Sequence, residues 1–175
     1  LFKKRIYSLV CLIVFSNLKT CISNLFLGSG LFSLSSAERN AIKVGLGSDV
    51  GGGTSLSMLS NMNDAYKILR LRSEEFSPLK AFYLATLGGA EVLDLDHTIG
   101  NFEPGKEADF VVLDRSATPL IEFRLGKSES VIEDLFVFSM LGDDRVVKQT
   151  WSAGLKVHDR DIDIGIDDSV EFLGI

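Results

Sequence analysis

The chain has 175 residues, 46% of them apolar, and a formal net charge of -6. That length supports one sizeable core or two small ones. The mild acidity, without clustered Lys and Arg, excludes nucleic acid as the expected partner, and two cysteines, Cys11 and Cys21, exclude a disulfide framework and fit reduced cytoplasmic thiols.

Charge is placed unevenly. Residues 1–20 hold Lys3, Lys4, Arg5 and Lys19 with no acid, and an apolar run follows from Ile6 to Phe15. A basic start with a short apolar run resembles a signal peptide. The run is too short for an ordinary membrane span, which takes about 20 apolar residues, so no membrane partner is expected. The stretch is read instead as an atypical leader not native to the domain, in a cytoplasmic protein. At the other end, residues 159–175 carry six acids against Arg160. Their charge favours a disordered tail over an edge strand.

From Cys21 the elements alternate. Asn24 to Leu27 is apolar and stops at the turn signal Gly28-Ser29-Gly30. A short helix is expected around Ala37 to Ala41. Lys43 to Gly47 reads as a short buried strand, ending at Ser48-Asp49 and the loop Gly51-Gly52-Gly53. Thr54 or Ser55 is the expected cap of the next helix. Met58, Met62, Ala65 and Leu69 recur there at helical spacing, with Asn61, Asp64 and Lys67 on the wet side. The apolar stripe is read as core packing.

Ser77-Pro78 opens a second helix, because Ser caps well and Pro is tolerated at the first helical position. Leu79, Phe82, Tyr83 and Leu87 are its expected buried face. A third, short helix is expected near Ala90 to Leu95. Asp109 to Asp114 is a strand bounded by acids, after the turn pair Pro104-Gly105. A helix is expected from Ser130 to Met140. Val146 to Trp151 and Leu155 to Val157 then form a hairpin about Ala153-Gly154.

The sharpest candidate for chemistry is Asp49. It closes a buried strand just before a flexible loop, the position from which catalytic groups project in a parallel barrel. A carboxylate there can ligate a divalent metal or accept a proton. It can equally cap the loop or the helix beyond. The glycine loop could cradle a phosphate at a helix N-terminus, but it lacks the Walker spacing and its Lys, and a tight turn accounts for it better. His97 and His158 are the only histidines and stand far apart. A zinc site takes at least three protein ligands, so none can be read. Cys21 has no local support as a nucleophile.

Several stretches together resemble the guanine deaminase family of the amidohydrolase superfamily. They are Ser23 to Gly30, Val44 to Gly53, Ala85 to Ala90, Ile99 to Phe110, and Leu141 to Arg145. Gly105-Lys106-Glu107-Ala108-Asp109-Phe110 marks the superfamily. Gly100-Asn101-Phe102 and Leu141-Gly142-Asp143-Asp144-Arg145 narrow it.

The resemblance implies an α/β chain, the C-terminal part of a TIM-like barrel of eight strand–helix units plus part of a small β-sandwich. It implies barrel units over 21–98, sandwich with helix over 99–158, and the tail over 159–175. It implies a zinc-dependent hydrolase that converts guanine to xanthine and ammonia, with a tendency to homodimers. Asp49 then matches the residue that touches zinc and takes the proton of the attacking water. Ser23 and Asn24 match a loop beside the substrate pocket. The family's other zinc ligands and its catalytic glutamate have no counterpart in this sequence, so the fragment is expected to be inactive alone. Ser48 stands where the family usually has Thr, and Thr20-Cys21-Ile22 replaces its Cys-Pro-Thr. Two further readings stay open. One is a superfamily enzyme acting on another aminopurine or on a triazine or chlorinated ring. The other is a non-catalytic chain, decayed or turned to interaction.

Overall fold

The computed structural model describes residues 21–162, so the expectations about the leader and about residues 163–175 lie outside the described residues. In chain order come α1 (Cys21–Phe26), α2 (Leu34–Arg39), α3 (Met58–Leu71), α4 (Pro78–Ala85), α5 (Leu87–Val92), β1 (Phe110–Leu113), α6 (Pro119–Leu125), α7 (Val131–Leu141), β2 (Val147–Ser152) and β3 (Leu155–Asp159).

Local chemistry sets most of these boundaries. Five helices begin at a Ser or Thr whose hydroxyl accepts a first-turn N–H: Ser33, Ser57, Ser77, Thr118 and Ser130. Each satisfies a donor that the helix itself leaves unpaired. Pro78 and Pro119 follow two of these caps, where a missing N–H costs nothing. At the end of α3, Ser73 is left-handed, and its N–H and that of Glu74 donate to Arg70 and Leu69 carbonyls at 3.0 and 2.8 Å. That double closure stops the helix.

Helix α3 is the centre of the packing. Leu59, Met62, Ala65, Ile68 and Leu69 are buried on it, and α1, α4 and α7 pack around it. Asn63 Nδ2 donates to the Met140 carbonyl at 2.8 Å, and Tyr66 meets Phe136 edge-on at 5.4 Å, so α3 and α7 are tied by both polar and aromatic contact. The sheet is antiparallel in the order β1-β2-β3. Phe110 pairs with Trp151, and their rings stack at 5.5 Å. Fully buried Val146, just before β2, joins the sheet to the helical core, and its carbonyl accepts from Asp114 N at 2.8 Å.

Several expectations need correction. Lys43 to Gly47 is buried at Val44, Gly45 and Gly47 but pairs with no strand among the described residues. A parallel strand exists only beside a lateral partner, and here the segment is held instead by Leu46 N donating to the Leu84 carbonyl at 2.8 Å. The cap of α3 is Ser57, not Thr54 or Ser55. Asn61 is 2% exposed rather than on the wet side. Helix α4 buries Ala81 and Leu84, while Leu79 faces solvent. Helix α6 lies where the sequence reading expects no element, although Thr118-Pro119 repeats the Ser77-Pro78 start signal. Strand β3 runs to Asp159, the first residue of the expected tail, whose carboxylate is buried against Lys156 and Gln149 at 2.7 and 2.9 Å.

Candidate active site

The Asp49 loop joins the buried segment 43–47 to α3. Asp49 is half-buried, with φ +46°. Among the described residues, four other non-glycine residues have positive φ: Ala41, Ser73, Asp94 and Ala153. The first three follow helix ends and the fourth lies in the β2–β3 turn, all ordinary places for a left-handed residue. Asp49 follows no helix and turns no hairpin. Aspartate tolerates this conformation better than most residues, yet it is still sparsely populated, and such residues cluster at functional sites.

The loop folds back on that residue. Gly52 N–H donates to the Asp49 carbonyl at 3.0 Å, and Gly53 N–H donates to the same oxygen. Val50 and Gly53 form an isolated bridge. These two amides are thus spent inside the loop and are not presented to an anion, which supports the tight-turn reading over a phosphate cradle.

Past the glycines, Asn61 anchors the loop to α3. Its Nδ2 donates to the Ser57 carbonyl at 2.8 Å and to the Ser55 carbonyl at 3.3 Å. Sequence reasoning missed this. The available signal was a short polar side chain one turn inside a helix start, where it can reach back to the backbone.

Asn24 lies half-buried on α1, which packs on α3, the helix fed by the Asp49 loop. Ser23 belongs to the same short helix. His97 lies in a turn and His158 on β3, and both are exposed. Among the described residues no three His, Cys, Asp or Glu side chains come together as a metal site. One carboxylate, Asp49, does not hold a zinc that needs three protein ligands. Zinc therefore does not fit the described residues by themselves. A crevice in the core is lined by Phe32, Leu34, Val44, Leu46 and Leu69 among other apolar side chains. It offers no hydrogen-bond partner for a polar ring and is packing space.

The chain matches the Amidohydrolase family over residues 3–157, and it belongs to that family. It is 53% identical over 138 residues to the guanine deaminase of Escherichia coli (strain K12), covering 79% of this chain and 31% of that protein. The solved E. coli guanine deaminase superposes with a TM-score of 0.80 at 51% identity, over 83% of this chain and 34% of that one. The guanine deaminase of C. acetobutylicum, solved with guanine bound in its active site, gives 0.67 at 27% identity, over 79% and 32%. An adenosine deaminase from Xanthomonas campestris, solved with bound zinc, gives 0.66 at 26% identity, over 79% and 31%. The chain spans about a third of the length of the relatives it matches.

Proposed function

We propose that this chain supplies one part of a guanine-deaminating active site, with Asp49 as its acid–base residue. The observation that carries the reading is the 53% identity to the E. coli guanine deaminase. Hydrolytic deamination breaks the ring carbon–amine bond, forms a carbon–oxygen bond from water, and releases ammonia. A proton must leave the attacking water and reach the departing amine. The Asp49 carboxylate is the group proposed to accept it. Such transfer contributes about 10²–10⁴-fold in rate.

The rest of the reading follows from the same likeness. The segment 43–47 is proposed as a strand of a TIM-like barrel whose neighbours come from chain outside this sequence, and β1–β3 as part of a β-sandwich. Residues 21–98 and 99–158 are the corresponding units. Zinc enters only for a site completed by groups beyond the described residues, where Asp49 would be one ligand. Ser23 and Asn24 are proposed to border the guanine pocket, and the completed protein to form a homodimer in the cytoplasm.

The test measures zinc content and ammonia release from guanine on this chain and on a version extended through the upstream reading frame. Turnover by the extended form alone, lost in Asp49→Asn, supports the proposal. An extended form that releases ammonia faster from another aminopurine or from a triazine refutes guanine as substrate. A non-catalytic role has one observation in its favour, the lack of a three-residue metal cluster among the described residues. It predicts neither zinc nor turnover in a well-folded extended protein.

A further inference from the structure

We propose that Gly53 is a positioning residue for Asp49, acting through the backbone of the loop rather than on substrate; this rests on the reading of Asp49 as the acid–base residue. A Cβ built on Gly53 would overlap the Ser48 carbonyl oxygen and stand 3.0 Å from the Asp49 carbonyl oxygen. Both obstacles are backbone, so neither can swing aside as a side-chain tip would. The φ of Gly53 is not in the left-handed region; the requirement is for space.

The absent side chain lets the Gly53 N–H reach the Asp49 carbonyl, beside the Gly52 N–H at 3.0 Å. Two donors on one carbonyl fix the peptide plane that follows Asp49. With φ already held at +46°, the Cα–Cβ direction of Asp49 is then set by the turn. The far end of the loop is fixed independently, by Asn61 on the Ser55 and Ser57 carbonyls. Any side chain at position 53 must therefore push back on Ser48 and Asp49, because the downstream end is anchored. A shift of about 1 Å in a reacting group can cost about 10²-fold in rate.

The experiment is a double-mutant cycle on the upstream-extended protein, with Gly53→Ala, Asp49→Asn and the pair. Gly53→Ala is expected to lower kcat by about 10–100-fold with KM little changed. In the Asp49→Asn background the same change is expected to cost less than about twofold. Gly105→Ala, a positive-φ glycine with open space around it, controls for generic backbone strain and leaves kcat unaltered. Equal losses from Gly53→Ala in both backgrounds, or no loss at all, overturn the proposal. No turnover in the parent, or full turnover in Asp49→Asn, overturns the functional reading instead. Amide exchange decides the loop geometry independently of turnover and of the variant's folding. The Gly52 and Gly53 amides of the parent are expected to exchange slowly, and fast exchange at both sinks the proposal.

Discussion

The backbone N–H of Ser35 donates to Glu74 Oε2 at 2.8 Å, joining the first turn of α2 to the segment just beyond α3 across 39 residues of sequence. Burial by itself would raise the Glu74 pKa, and the side chain is only 12% exposed. Hydrogen bonds from the Ser35 backbone, the Ser33 hydroxyl and Arg72 outweigh it and bring the carboxyl from 4.5 down to about 2.

A folded-state pKa below the unfolded value stabilises the fold above the unfolded pKa, and the gain is lost as pH falls through the folded one. Resistance to urea unfolding is thus expected to fall as pH drops from 4.5 to about 2 through this group. Glu74→Gln is expected to cost about 1–3 kcal/mol at neutral pH and to flatten that acid limb. An unchanged limb in the variant would remove Glu74 as its source.

Asp49→Asn keeps the size of the side chain and removes its basicity. In the extended enzyme it is expected to lower kcat by about 10²–10⁴-fold while the unfolding midpoint moves little. Steady-state ammonia release and thermal denaturation, measured on one preparation, check both halves.

Gly142 closes α7 where it meets α3. A Cβ there would stand 2.7 Å from Leu59 Cδ1 and would crowd the Phe138 carbonyl oxygen. Gly142→Ala is expected to destabilise by about 1–3 kcal/mol, the ordinary cost of overpacking. The matching partial rescue is Leu59→Ala in the same chain, read as non-additivity in urea unfolding.

Burial along α3 predicts a sharp contrast between neighbours. Ile68 is 2% exposed and Leu71 is 75% exposed. Ile68→Ala is expected to cost about 2–5 kcal/mol, and Leu71→Ala to stay within about 0.5 kcal/mol. Similar midpoints for the two would contradict the orientation of the helix.

Much of the architecture was legible because its signals are local. Ser77-Pro78 started α4 where expected, the acid-bounded run at Asp109 to Asp114 held β1, and Ala153-Gly154 turned the β2–β3 hairpin. Thr118-Pro119 carries the same local start signal for α6. The family was legible too, since its motifs are short strings read without a fold, and the match over residues 3–157 bears that out. At the candidate site, Asp49 was legible as a residue but not as a conformation.

By itself, the sequence determined where α4 and α7 begin, where the hairpin turns, and which family the chain belongs to, because caps, turns and motifs act within a few residues. Only the tertiary structure decided that Val44 is buried without a strand partner among the described residues, that Asn61 turns inward to hold the loop, and that Glu74 meets Ser35. Burial, strand pairing and the partner of a charge depend on which distant segments arrive alongside, and no local pattern fixes that.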